Sequence, residues 1–382
     1  MAHQEHTAPS GRSRDDGGGP VDDPRTVKDG MLKSVSIRNF RVFDELSINH
    51  LSRINLIAGR NNAGKTSLLE ALFLLAGGGN PQMAVNPYVT RGPDFPPSNG
   101  REMLRETLWK PMFTALDTSR IVEIAAEHAE HGPLTLRMLL EGSKHIEIPL
   151  GNLSDFPTRV FHGEPALLFS FKSGLQPAVE RRIQVVGQSI QVQQPDLPEP
   201  FTAVILSTSI ASHQEDAERL GRLRRQKQGA QVLDALRIIE PRLQSIEENS
   251  ASGSPMIWGD IDLPELVPLA MMGEGITRLA RLVLAIANAP SGLVLVDEIE
   301  TGLHHSVLPD VWRAVDEAAK QFDTQVVATT HSYECIRAAH EALGSGDGFL
   351  LHRLEASSKG NRCVTYEPES IDAAMRHDLE VR

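Results

Sequence analysis

An α/β fold is what this sequence predicts: a mixed, mainly parallel sheet joined by an antiparallel β lobe and a short helical arm insertion. Three stretches of the 382 residues carry that reading. Residues 54–75, INLIAGRNNAGKTSLLEALFLL, run strand, glycine loop, helix. Residues 266–343 alternate helical and strand patterns, as a parallel sheet with crossover helices requires. Residues 121–192 break into short pieces with the pattern of antiparallel strands.

Taken in order, residues 1–30 are polar and rich in Gly, Asp and Arg, without the apolar core of a signal peptide. Such a composition buries too little apolar surface to fold, so a disordered tail is expected. Met31 stands directly before the first patterned segment and could be the initiator. In residues 32–40, Leu32, Val35, Ile37 and Phe40 alternate with Lys33, Ser34, Ser36 and Arg38 as in a strand, and Phe43, Leu46 and Ile48 continue as a second. Two strands ahead of the glycine loop differ from a dinucleotide-binding start, where the loop follows the first strand.

After the strand 54–58 and the helix 67–75 comes a loop region, 77–100, dense in Gly, Pro and Asn, then helical character near 101–116. Strand-like pieces at 121–126, 134–140, 145–150 and 182–192 make up the antiparallel lobe, and 201–208 reads as a buried strand. Residues 215–248 form the longest helical region, with Ala217, Leu220, Leu223, Val232, Leu236, Ile239 and Leu243 at helical spacing and breaks at Gly229 and Pro241. A loop-rich connector is expected over 253–264. Helices over 276–289, 306–320 and 333–343 then alternate with strands 293–296 and 325–329; strands 349–354 and 363–366 and a short helix near 371–379 follow. The predicted organisation is a tail (1–30), a first part of one domain (31–209), a helical arm (210–250) and the second part of that domain (251–382).

The composition is that of an ordinary globular chain, 40% hydrophobic and 23% charged. No run approaches the roughly 18 apolar residues of a membrane span. Cys335 and Cys363 stand in neither a metal spacing nor a disulfide framework, which fits a reducing cytoplasm. The net charge of −12 argues against a surface coated for nucleic acid. Arg219, Arg222, Arg224, Arg225 and Lys227 form a local basic cluster, either a solvated helix face or a contact for DNA or an acidic partner.

Gly59-Arg60-Asn61-Asn62-Ala63-Gly64-Lys65-Thr66 is a full match to GxxxxGK[ST], and it has the strand before it and the helix after it that the motif needs. Gly59 and Gly64 let the backbone curl so that successive N–H groups, Ser67 included, face a phosphate, and the helix start adds its dipole. Lys65 is placed to reach the β- and γ-phosphates of ATP, and the Thr66 hydroxyl to ligate Mg²⁺. A second apolar strand, 293–296, ends in Asp297 and Glu298. Asp297 points toward the same metal, while Glu298, one residue on, points elsewhere and can polarise an attacking water. A third strand, QVVATT, ends in His331-Ser332, from which His331 can reach a γ-phosphate. Gly273 and Gly275 edge the start of the next helix, a second anion site.

Four stretches in order, GRNNAGKTSLLEAL, MMGEGITRL, VLVDEIETGLH and ATTHS, resemble the ABC-type ATPase head of the RecF, SMC and OLD group, and more closely the bacterial AAA-family ATPases that share the OLD core. The resemblance covers about residues 31–382. It implies a P-loop NTPase fold of the ABC-head type and the following roles: residues 59–66 as Walker A, 293–297 as Walker B, Glu298 as catalytic base, 300–304 as D-loop and His331 as switch histidine. Met272-Gly273-Glu274-Gly275 is similar to the signature that meets the γ-phosphate of the opposite subunit, which implies a homodimer on ATP. Arg41, in Arg38-Asn39-Phe40-Arg41, matches the segment that lines the nucleotide in related heads. Met272 replaces the usual signature serine, and Ser207, Thr208 and Ser209 stand where a Q-loop glutamine is expected, so slow hydrolysis is implied. The arm is far too short for a coiled coil. No TOPRIM nuclease domain is expected after His331, and His304 and His305 read as D-loop residues rather than metal ligands. The resemblance points to DNA repair or phage defence, with a separately encoded nuclease or other effector. A nucleotide-gated scaffold with little turnover is the alternative; a P-loop kinase has no need of Glu298, the glycine-edged helix or His331.

Overall fold

The computed structural model describes residues 31–86, 109–141, 166–186, 189–193, 200–207, 212–250, 253–344, 346, 348–357, 360–366 and 370–371. The expectations for residues 1–30, 87–108, 145–150, 208–209 and 372–379 fall outside these. The chain opens with β1 (Leu32–Phe40), β2 (Phe43–Ile48), β3 (Ile54–Gly59) and α1 (Lys65–Ala76). Then come β4 (Val122–His128), β5 (Gly132–Glu141), β6 (Ala166–Ser173), β7 (Val179–Val186), β8 (Ser189–Gln193) and β9 (Ala203–Leu206). The arm holds α2 (His213–Arg225) and α3 (Gly229–Leu236), followed by β10 (Ser245–Asn249), β11 (Met256–Asp260) and β12 (Val267–Pro268). The last part comprises α4 (Glu274–Ala287), β13 (Leu293–Val296), α5 (Leu308–Gln321), β14 (Gln325–Thr329), α6 (Tyr333–Leu343), β15 (Phe349–Ser357) and β16 (Gly360–Tyr366).

A six-stranded sheet, in the order β16-β15-β3-β14-β13-β9, forms the centre. All its neighbours are parallel except the β15–β16 hairpin. Its inner strands are apolar on both faces because both faces are covered. Val294, Val296, Val326 and Ala328 look into a core built with α4, α5 and α6 and joined by Leu220 and Leu223 of α2. Leu293, Leu295 and Val327, one residue out of phase, look into a second core with α1. An antiparallel seven-stranded sheet, β2-β1-β4-β5-β6-β7-β8, closes that second core. Helix α1 is therefore covered by sheet on two sides. This is why LLEALFLL is apolar nearly all round, with Leu68, Leu69, Leu72 and Leu75 each at most 1% exposed.

Gln325 ties the two sheets. Its Nε2 donates to the carbonyls of Leu32 and Ser52, at 2.9 and 2.8 Å, and its Oε1 accepts from the Leu32 N–H at 2.9 Å. A buried amide with these bonds made costs little, and it sets the height of β1 against the start of β14.

Three expected elements differ from the structure. The helical region 215–248 breaks where Lys227 turns left-handed (φ 61), stops at Leu236, and ends in strand β10. The supposed connector 253–264 contains β11, which pairs with β10 from Ser245↔Asp260 to Asn249↔Met256. Past Pro241, Leu243 and Ile246 fit a strand as well as a helix, and a strand needs a partner that local spacing does not reveal. Residues 182–192 lie in a hairpin, β7 and β8, not one strand. Near 101–116 the described part has only single turns at Lys110–Met112 and Thr114–Leu116.

Two histidines are buried in neutral form. His352 of β15 is 0% exposed. Asn55 gives its amide hydrogens to carbonyls, so its Oδ1 takes the proton of His352 Nε2 at 3.2 Å, while Nδ1 meets the Thr365 hydroxyl at 3.0 Å. Burial pushes His352 down to about 3, helped by His50, and pushes His128 down to about 4, helped by His131. The unfolded chain takes up these protons near pH 6.5, where the fold does not. Their stabilisation is therefore complete above that pH and is lost as pH falls from 6.5 toward 4. The expected drop in unfolding free energy, read from urea midpoints between pH 7 and pH 5, is about 1.4 kcal/mol per histidine per pH unit below 6.5. His352→Gln should remove one of the two contributions to that slope.

Candidate active site

The glycine loop leaves β3 and enters α1 through two glycines where any side chain would be strained. Gly59 has φ 151 and Gly64 has φ 100. A Cβ on Gly64 would stand 2.5 Å from Phe43 Cζ and 2.8 Å from Val42 Cγ2; one on Gly59 would stand 2.7 Å from the Leu354 carbonyl oxygen. Gly64 is the N-cap of α1, without a side-chain cap, so the first-turn N–H groups of the helix are turned toward the loop. Asn62 also takes a left-handed φ of 64. Ala63 and Ser67 are buried at 2% and 4%. Lys65 folds back: its Nζ donates to the carbonyls of Gly59 and Arg60, at 2.7 and 3.2 Å. Burial lowers its pKa, and Asp297, Glu298 and Glu300 oppose that shift.

Strands β3, β14 and β13 lie side by side and parallel, so their carboxyl ends meet above α1. Thr66 Oγ1 donates to the Asp297 carboxylate at 3.1 Å, and Thr329 Oγ1, at the end of β14, donates to it at 2.7 Å. A hydroxyl and a carboxylate brought together beside a phosphate loop are the hard-oxygen donors that Mg²⁺ takes, so these residues fit that ion. Glu298 follows with φ 46, a conformation that costs a non-glycine residue about 1–2 kcal/mol. Its N–H donates to Thr329 Oγ1 at 2.8 Å. His331 Nδ1 lies 3.7 Å from Glu298 Oε1 and 3.4 Å from Glu300 Oε1. Glu300 also accepts from the Thr330 hydroxyl at 2.7 Å and the His331 N–H at 3.1 Å, which anchors the turn carrying the histidine. Glu298 and His331 are both half exposed.

The glycine-edged helix start lies against residues 300–304. A Cβ on Gly302 (φ 77) would meet Glu274 Oε1 at 2.6 Å, and one on Gly275 would approach only Leu303, at 3.9 Å. Gly273, with φ 129, has nothing within 4 Å of its Cβ position. Met271 beside it is 79% exposed, whereas Met272 turns inward onto Gly259 of β11.

The remaining candidate residues have the following partners. Arg41 is engaged by Glu70 of α1 in a buried ion pair, Nε to Oε2 2.6 Å, so its guanidinium buttresses the helix. Arg219, placed in the basic cluster, is 4% exposed and committed to Glu215 and Asp216. Arg222 donates to Asn288 Oδ1 at 3.0 Å and, like Arg224, Arg225 and Lys227, is exposed. The rings of His304 and His305 pack with centroids 4.1 Å apart, and His304 Nδ1 caps the turn that follows. Sequence reasoning gave no role to Thr329 or Arg278, and took Glu300 only as part of the D-loop. The ATT before His331 carried a trace of the first, since a threonine closing an apolar strand presents its hydroxyl to the neighbouring strand end.

The fold and site together define a P-loop ATPase of the ABC type. Two family models match the chain in order, an "AAA ATPase domain" over residues 31–127 and an "AAA domain, putative AbiEii toxin, Type IV TA system" over 191–337. An "ATP/GTP phosphatase" of Helicobacter pylori is 25% identical over 374 residues, covering 90% of this chain and 97% of the relative. The "DNA replication and repair protein RecF" of Idiomarina loihiensis is 29% identical over 28% of this chain and 26% of its own length. The "SMC head domain from Thermotoga maritima" aligns with a TM-score of 0.42 at 16% identity, covering 88% of this chain and 99% of that one. The chain is an ATPase of the RecF/SMC group. No described helix is long and apolar enough to cross a membrane.

The loop geometry is testable without nucleotide. Gly64→Ala should lower the unfolding free energy by about 2–4 kcal/mol, the sum of a left-handed backbone and a clash with Phe43. Urea denaturation measures it; an unchanged midpoint would show that the loop does not hold this conformation.

Proposed function

We propose that the chain hydrolyses Mg-ATP between two copies of itself. The observation that carries the reading is the meeting of two strand ends and the start of α1 at Asp297, with Thr66 of α1 at 3.1 Å on one side and Thr329 of β14 at 2.7 Å on the other. The N–H groups around Asn61, Asn62, Ala63, Gly64 and Ser67 would cradle the phosphates, and Lys65 would exchange its two carbonyls for β- and γ-phosphate oxygens. Thr66 and Asp297 would hold Mg²⁺, which neutralises phosphate charge when bound. Glu298 would accept the proton of the attacking water, and His331 would meet the γ-phosphate from the neighbouring strand end.

The second copy is supported by Gly275. Its backbone is ordinary and a side chain there would find room, so nothing in the chain's own packing asks for glycine. A phosphate approaching the exposed start of α4 from outside would ask for it. ATP would then bridge the two copies only while its γ-phosphate remains. Met272, turned inward, supplies no hydroxyl to that phosphate, which supports slow turnover and keeps open a nucleotide-gated scaffold. The name carried by the RecF relatives, DNA replication and repair protein, supports a DNA-repair setting. The exposed Arg222, Arg224, Arg225 and Lys227 are the surface that DNA or an acidic partner would meet.

Lys65→Ala should weaken ATP binding by about 100-fold, roughly 2.7 kcal/mol, in titration calorimetry; unchanged affinity would sink the loop's assignment. Glu298→Gln should bind ATP, release no phosphate and run as a dimer in light scattering with ATP but not with ADP. Adding Gly275→Arg should return it to monomer with ATP still bound. One mass in all three conditions would refute the dimer, and normal phosphate release by Glu298→Gln would refute the base.

A further inference from the structure

Arg278 lies near the end of the stretch MMGEGITRL, where the resemblance gives it no role, yet it is buried against the acid pair. It lies on α4 just after Gly275 and is 7% exposed. Its Nη2 donates to the main-chain carbonyls of both Asp297 and Glu298, at 3.2 and 3.3 Å. Burial and the neighbouring Arg281 both penalise this charge, and Glu300, Asp297 and Asp216 offset them. An apolar side chain would fill the volume without that penalty. The two carbonyls are what a guanidinium can serve and a leucine cannot.

Those carbonyls belong to the most constrained turn of the site. Glu298 holds its left-handed φ of 46 with its N–H on Thr329 and its carbonyl on Arg278. Such a conformation persists only where its surroundings over-determine it, and here the two sides of the residue are clamped by different elements. Three residues further along α4, on the same helix face, Arg281 is 8% exposed and meets Asp216 of α2 at 2.9 Å. Asp216 also accepts from Arg219, at 3.4 Å. One face of α4 thus grips the arm at Arg281 and the acid turn at Arg278, and the same helix begins at Gly273.

We propose that Arg278 is a positioning residue for hydrolysis, orienting Glu298 through its carbonyl, and that the Asp216–Arg281 pair lets the arm act on that orientation. The inference rests on Glu298 being the base. A partner that shifts α2 would then change the rate of hydrolysis without touching the nucleotide.

The test uses the full chain and compares Arg278→Gln, Arg278→Lys, Arg281→Gln and the Arg278→Gln/Arg281→Gln double variant, with Glu298→Gln alongside. ATP affinity, thermal midpoint and single-turnover phosphate release are measured for each. Arg278→Gln should bind ATP within about threefold of the parent and hydrolyse it about 100-fold more slowly, the loss that a misplacement of about 1 Å brings. Arg278→Lys, which keeps a cation in reach of the carbonyls, should recover about tenfold of that loss. Arg281→Gln should slow release about tenfold alone and add nothing in the double variant, because the path is already cut. Should Arg278→Gln misfold, Arg278→Lys and Arg281→Gln carry the test through the same split between rate and affinity. Parental hydrolysis in the Arg278 variants, or rate and affinity falling together, would overturn the positioning role. Multiplying losses in the double variant would overturn the link to the arm. Normal turnover by Glu298→Gln would instead remove the base itself, whatever the arginine variants do.

Discussion

The lateral register of β3, β14 and β13 is the constraint on which the site depends. Thr329 stands beside Ile57, and Ala328 beside Val296, so the residues that leave each strand arrive at one level. A slip of one residue would exchange the side chains of the two faces and spoil the packing of both cores at once. The register is therefore held by the whole apolar content of the sheet, and the polar residues at the strand ends inherit that precision. Asp297 and Thr329 are brought to one level by strands that cannot slide, and the glycine loop after β3 sets Thr66 of α1 against them.

The legible parts of this chain are those whose chemistry is local. The glycine loop, the strands that end in Asp297 and before His331, and the helix after Ser332 are announced by contiguous residues whose spacing has one reading. The arm was legible only as far as Leu236. Beyond it, Leu243 and Ile246 gain their meaning from β11, and a β pairing across a turn leaves no local period. Arg41 and Arg219 show a related limit. An arginine in a sequence is a charge, but its role depends on which carboxylate the fold delivers to it, and here Glu70 and Asp216 claim them. Arg278 could not have been read at all, since what it binds is main chain.

Buried charge in this protein is concentrated where elements from distant parts of the chain must hold a fixed relation. Glu70 with Arg41 joins α1 to the β1–β2 turn; Asp216 with Arg281 joins α2 to α4. Each pair costs desolvation that an apolar contact would avoid. What it adds is direction: apolar surfaces tolerate a small rotation, whereas a guanidinium and a carboxylate at 2.6–2.9 Å do not. Gln325 gives the same kind of fixity to the two sheets without charge.

Lys65 resting on the carbonyls of Gly59 and Arg60 has a consequence for selectivity. Lys65 Nζ already has two carbonyl partners, so a ligand that draws on this amine has to replace them. Neutral molecules and weak anions gain nothing from the exchange, while a chain of phosphates, bringing several charges to one amine and one helix start, gains on both. On the proposed reading the loop would thereby select on charge, favouring a chain of phosphates over a monoanion.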